Sequence, residues 1–260
     1  MIITPLASGS KGNSYLIESL STKILIDAGL SAKQLALRLE DADCKPSKIS
    51  AICVTHEHGD HIGGVRVFAK RFNVPVYINS ACYDVAQEKY KLDEINDIRF
   101  FEAGDKINHQ DLMLHAMRIT HDTIDPVCFS IDDGKHSSAV VTHLGKMNTL
   151  VLTQLKKVDA LILEANHDLL MLKMNINYPE KIKQRIRSNR GHLSNDQSAE
   201  AAIEIIEKGK LKHLTLAHLS ENNNSEKHVL KTYRKYMDSK GIDLPFNFAK
   251  QHIISEKIIL

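Results

Sequence analysis

Thr55-His56-Glu57-His58-Gly59-Asp60-His61 places three histidines and an aspartate, four potential metal ligands, within six residues. The run before it, Ala51-Ile52-Cys53-Val54, is short, partly β-branched and uncharged, which predicts a buried strand. After it, Ile62, Val65, Phe68 and Ala69 recur at helical spacing within Ile62 to Phe72. The quoted stretch is therefore expected on a strand-to-helix turn, where side chains can converge above a sheet edge. His56 and His58 stand two apart and project to the same side of an extended segment. Asp60 and His61 open the helix and can face a second ion. Neutral imidazole together with carboxylate suits zinc, iron or manganese. Isolated histidines on a polar turn are usually surface groups, but this density of ligand types points to metal.

The remainder of the chain is ordinary in composition. With 260 residues it can bury a substantial core as one large domain or two small ones. A net charge of +2 gives no bulk attraction to polyanions, so any basic surface must be local. No apolar run approaches the length of a membrane span. Met1 to Leu6 enters a strand-like pattern with no basic region or cleavage site, so no secretion signal is expected. Cys44, Cys53, Cys82 and Cys128 are widely spaced and form no Cys-x-x-Cys pair. Buried free thiols in a reducing cytoplasm fit that spacing.

Strand-like segments surround the metal motif. Met1 to Ala7 and Ser14 to Glu18 read as two strands joined by Ser8-Gly9-Ser10-Lys11-Gly12-Asn13, a glycine-rich turn. Ile24 to Ile26 reads as a buried strand followed by Asp27, and Ser31 as the cap of a helix to Leu39. Val74 to Ile78, Ile98 to Phe101, Leu112 to Ile119, Val127 to Ile131 and Ser138 to Thr142 continue the strands, with a helix over Ser80 to Tyr90. Strands in blocks with helices between some of them predict α/β layers of mixed sheet. Neither an internal repeat nor a linker is visible, so a single domain over 1–260 is expected. Val158 to His167 reads as another buried strand, carrying Glu164. Ser194 or Asn195 should cap a helix to Lys208, with Ala199, Ala202, Ile203 and Ile206 on its buried face.

The pattern His-x-His-x-Asp-His over His56 to His61 resembles the metallo-β-lactamase superfamily. That resemblance implies a four-layer αββα sandwich of two mixed sheets flanked by helices, with one or two divalent ions (Zn, Mn or Fe) at the sheet edge. On the matching positions it implies that His56, His58 and His121 hold one ion and that Asp60, His61 and His218 hold the other. Asp27 would brace the metal loop without binding metal. The superfamily's bridging aspartate, in a segment like Thr-Asp-Leu-Gly, is replaced in Thr142-His143-Leu144-Gly145. A neutral imidazole offers one lone pair to one ion. His143 can therefore join either ion without bridging both, which leaves open a water-bridged pair, one tight ion, or recruitment of Asp122.

Glu164 with the later His192-Leu193-Ser194 resembles the RNase Z-like phosphodiesterase branch, in which such a pair protonates the leaving oxygen. Over nearly the whole chain the motifs resemble the YycJ/WalJ (VicX) family. They are Ser8 to Asn13, Thr55 to His61, His121-Asp122 with Asp125-Pro126-Val127, Glu164 to His167, Arg190 to Asn195, and Ala217 to Asn223. The resemblance implies a DNA 5′→3′ exonuclease using a metal-bound hydroxide, with Asp60, Glu164 and His192 as catalytic candidates. Between Lys173 and Arg190 the basic residues Lys181, Lys183, Arg185, Arg187 and Arg190 outnumber a single acid, Glu180. This stretch is the candidate contact for a nucleic-acid backbone, and Tyr178 a candidate stacking ring. The competing readings are a glyoxalase II-type thioesterase, a cyclic-phosphate hydrolase, and a non-catalytic nucleic-acid-binding module.

Overall fold

The computed structural model describes residues 1–260. Its strands belong to two mixed sheets of seven strands each, flanked by helices. The chain divides into two compact units, one of residues 1–118, 123–137 and 249–260, the other of residues 119–122 and 138–248.

The first unit holds strands β1 (Ile2–Ala7), β2 (Ser14–Glu18), β3 (Lys23–Ile26), β4 (Ala51–Cys53), β5 (Val76–Asn79) and β6 (Ile98–Phe101). These lie in sequence order, with the C-terminal strand Ile258–Ile259 added beside β1. β1 to β3 pair antiparallel, and β3 to β6 pair parallel. β2 is buried at every position and β4 throughout. Near-continuous apolar runs suit strands covered on both faces. The same unit carries an antiparallel meander of β7 (Lys106–His109), β8 (Leu112–Arg118) and β9 (Val127–Asp132).

Helix α1 (Ala32–Asp41) is capped by Ser31, whose hydroxyl accepts from the Gln34 N–H, and it buries Leu35 and Leu39. Each such leucine, moved out of water, contributes about 1.5–3 kcal/mol. The helix expected from Ile62 to Phe72 is two helices, α2 (Gly59–Ile62) and α3 (Val65–Phe72). The break falls at Gly63-Gly64, where the Gly64 N–H leaves the helix ladder and donates to the Ala28 carbonyl at 2.8 Å. Val65, Phe68 and Ala69 still face the core as their spacing predicts. α4 (Ser80–Tyr90) begins at an Asn79 cap.

The second unit is built on parallel strands β10 (Ser137–Val141), β11 (Ala160–Glu164), β12 (His213–Ala217) and β13 (Phe246–Phe248). Its helices are α5 (Thr149–Leu155), α6 (Leu169–Met174), α7 (Glu180–Arg187), α8 (Asn195–Lys208) and α9 (Glu226–Asp238). Ser194 closes a full capping box with Gln197 at the start of α8. Ala199, Ala202 and Ile203 are buried, but Ile205 fills the place expected of Ile206, which is only half-buried. Val141 pairs with Leu163, and Glu164 with Ala217. His143, Glu164 and His218 consequently leave neighbouring strands at the same carboxyl edge, where ligands of open parallel sheets bind.

Candidate metal centre and active site

In the first unit the metal motif follows β4 and is fastened by backbone contacts. The Asn13 N–H donates to the Asp60 carbonyl at 2.7 Å, and the Ala28 N–H to the His61 carbonyl at 2.9 Å. Gly29 makes this approach possible: a Cβ there would lie 1.7 Å from the Asp60 oxygen. Beneath the motif sits Asp27, fully buried and in the left-handed region at φ 62°. It accepts from the Thr55 N–H and hydroxyl at 2.8 Å each and from His61 Nδ1 at 2.7 Å. Since the Thr55 hydroxyl donates to Asp27, its oxygen is left to accept from His56 Nδ1, 2.9 Å away. The His56 ring lies 4.0 Å from that of His61 and 4.9 Å from that of His58. Asn13 Nδ2 reaches Asp60 Oδ2 at 3.0 Å and His61 Nε2 at 3.1 Å.

In the second unit four dispersed segments bring histidines around Glu164. This carboxylate is fully buried. Its Oε1 accepts from His218 Nδ1 at 2.8 Å, His192 Nδ1 at 3.0 Å and the His143 N–H at 3.1 Å. Its Oε2 accepts from the Leu193 N–H at 3.0 Å. Burial by itself would raise this carboxyl, but His192 and His218 hold it below the usual carboxylate range. One ring nitrogen each from His143, His192 and His218 lies within 4.8 Å of the others. His121 Nδ1 donates to the Gly191 carbonyl at 3.1 Å, and its Nε2 lies 3.2 Å from Asp122 Oδ1 and 3.4 Å from His143 Nδ1. Gly145 lets the 189–192 segment pass close by, since a Cβ would lie 2.3 Å from the Asn189 carbonyl carbon.

Donor chemistry provides a test of fit for metal. Asp27 fixes His61 through Nδ1, Thr55 fixes His56, Glu164 fixes His218, and the Gly191 carbonyl fixes His121. Each neutral ring then carries its lone pair on Nε2. A ligand histidine is commonly oriented in this way, by an outer carboxylate or carbonyl on its second nitrogen. His143 and His218 also sit at positive φ, 59° and 55°. Non-glycine residues in that region are uncommon and cluster at functional sites. In the second unit His143, His192 and His218, with ligand atoms within 4.8 Å of one another, therefore fit a divalent ion, and the first unit supplies further histidines oriented as ligands.

The basic stretch is largely solvated. α7 buries none of its residues. Lys181, Arg185, Arg187 and Arg190 are exposed and Lys183 is half-buried. Arg190 Nε donates to the His121 carbonyl at 3.1 Å, and Arg185 lies 3.6 Å from Asp122. The stretch is thus tied to the His121-Asp122 segment. Arg187 pairs with Glu180 at 3.0 Å, and Lys183 reaches the Lys173 carbonyl at 2.7 Å. The Tyr178 hydroxyl accepts from Asn222 at 3.3 Å.

Two site residues lay outside the sequence reading. Asn13 ends the glycine-rich turn, which reads as a plain hairpin connection, but its side chain reaches Asp60 and His61. Asn166 donates to the His218 carbonyl at 3.0 Å. An asparagine two places beyond Glu164 was the available signal for it. All four cysteines are buried free thiols, as expected.

The family model described as the metallo-beta-lactamase superfamily matches residues 7–136. The chain belongs to the metallo-β-lactamase superfamily. Its two mixed seven-stranded sheets with flanking helices are that fold, and membership places it among the superfamily's hydrolases. Within the superfamily it is 34% identical over 221 residues to a protein named exodeoxyribonuclease WalJ from Streptococcus pneumoniae, covering 84% of this chain and 81% of the relative. It is 32% identical over 236 residues to exodeoxyribonuclease YycJ from Bacillus anthracis, covering 91% and 89%. Among solved structures, the metallo-β-lactamase fold protein YhfI from Bacillus subtilis superposes with a TM-score of 0.73 at 18% identity, covering 98% of this chain and 99% of that one. The fold and family expected from His56 to His61 are borne out.

Proposed function

We propose that this chain is a metal-dependent phosphodiesterase that degrades DNA from the 5′ end in the cytoplasm, with residues 1–260 acting as one catalytic domain. In this reading His56, His58, Asp60 and His61 of the first unit and His121, His143 and His218 of the second hold one or two ions (Zn, Mn or Fe). The observation that carries it is the wholly buried Glu164 carboxylate bonded to both His192 and His218. One group thereby orients a ligand histidine and a second histidine suited to proton transfer. Relatives named as exodeoxyribonucleases support DNA as the substrate. No helix is long and apolar enough to cross a membrane.

A bound divalent ion would supply Lewis acidity toward the phosphoryl oxygens and a water acidic enough to attack near neutral pH. The chain's own residues do the rest. Glu164 accepts from Nδ1 of His192 and favours the doubly protonated ring, whose Nε2–H gives its proton to the departing oxygen and leaves the lone pair on Nε2. Lys181, Lys183, Arg185, Arg187 and Arg190 hold backbone phosphates beside His121.

End-labelled single- and double-stranded DNA and RNA, digested with manganese or zinc, test the reading. Release of mononucleotides from the 5′ end of DNA is expected, lost on chelation and in His58→Ala. Undiminished turnover by His58→Ala would defeat the metal assignment. Thioester or cyclic-nucleotide hydrolysis without DNA cleavage would transfer the chain to another hydrolase class.

A further inference from the structure

We propose that the pocket over His167 takes a nucleobase of the polynucleotide, beside the bond served by Glu164 and His192; this rests on the phosphodiesterase reading above. His167 is 1% exposed, and neither ring nitrogen has a hydrogen-bond partner. That is unusual, because buried polar side chains are nearly always bonded. Burial lowers its ring to about 4. The imidazole is therefore neutral at pH 7 and offers one donor and one acceptor.

The pocket it lines has a volume of about 240 Å³. That is below the roughly 300–1,000 Å³ of sites for drug-sized molecules, so it suits one ring system and not a whole nucleotide. Leu169 supplies an apolar wall and Arg187 a guanidinium plane, and such planes stack on aromatic faces. Phosphate is the wrong occupant for two reasons. The carboxylates of Asp196 and Glu200 line the same pocket, each accepting from the Tyr236 hydroxyl. At the α8 N-terminus three N–H groups are also taken, Gln197 by Ser194 Oγ, Ser194 by Gln197 Oε1 and Asn195 by the His167 carbonyl. A group with both donors and acceptors on its edge, and no charge, matches this lining. Its place is set by the backbone: the Asn166 N–H donates to the Leu193 carbonyl at 3.0 Å and the Asn195 N–H to the His167 carbonyl at 2.9 Å, which fastens His167 beside the segment that carries His192.

The test uses the full chain with manganese and compares deoxynucleoside 5′-monophosphates with 2-deoxyribose 5-phosphate as inhibitors of bis(p-nitrophenyl) phosphate hydrolysis. The nucleotides should inhibit at least about tenfold more tightly than the base-free sugar phosphate, or about 1.4 kcal/mol. His167→Leu should narrow that ratio to about twofold. Equal inhibition in the unaltered protein, or a ratio unchanged in a folded His167→Leu, overturns the pocket alone. Should the variant not fold, the comparison in the unaltered protein decides. Absence of any bis(p-nitrophenyl) phosphate hydrolysis removes the phosphodiesterase reading and this inference with it.

Discussion

The two histidine clusters are held by different means. In the first unit the candidate ligands are neighbours in sequence, and Asp27 has only to pin one loop, through Thr55 and His61. In the second they come from segments far apart, and Glu164 alone receives the His192 and His218 rings and the His143 backbone. Where ligands are contiguous, local chain geometry shares the task of positioning them. Where they are scattered, one buried carboxylate carries it, so its loss should spread further.

Replacing each carboxylate by its amide is the sharpest way to break this contrast. An amide oxygen can still accept where Oε1 does, but it carries no charge and leaves an amide nitrogen facing the Leu193 N–H, so Glu164→Gln should weaken both metal orientation and proton delivery. Loss of an outer partner costs about 10–100-fold in metal affinity, and loss of general acid catalysis a further 10²–10⁴-fold or so. Asp27→Asn should show only the first loss, recovered by excess metal. Titrating metal against turnover of an oligonucleotide reads both, and full rescue of Glu164→Gln at saturating metal would erase the distinction.

Within the second unit, His192→Ala should separate proton delivery from ion holding. A fall of about 10²–10⁴-fold is expected with nucleotide leaving groups, and much less with p-nitrophenolate, which departs without a proton. Equal losses with both would remove His192 as the acid.

The smallest effect concerns His167, which has no carboxylate partner, unlike His192 and His218. Its folded pKa of about 4 lies below the usual value of 6.5. Between those values the unfolded chain binds the extra proton, so stability is full above pH 6.5 and is lost as pH falls toward 4. The slope from this group is at most about 1.4 kcal/mol per pH unit. Denaturant titrations across pH 4 to 7 should show His167→Gln to be flatter than the unaltered protein; parallel curves would deny the depressed value.

Most of the fold was legible because its signals are local. Apolar runs ending in His56, Glu164 and His218 mark strand ends, and the seven residues from Thr55 announce metal chemistry unaided. The break at Gly63-Gly64 was hidden because the Gly64 N–H is drawn away by Ala28, a partner 36 positions earlier. Asn13 and Asn166 were missed for a related reason: an asparagine at a turn looks the same whether it closes the turn or reaches a distant histidine. The orphaned ring of His167 is likewise invisible without burial, since the sequence shows only a histidine after a strand.

The left-handed backbone at His143 acts as a filter on descent. With φ at 59°, only glycine, asparagine, aspartate and histidine fit there at little cost, and β-branched residues are shut out. An exchange between aspartate and histidine can therefore happen at this corner without disturbing the main chain. His143→Asp is a step the backbone already permits.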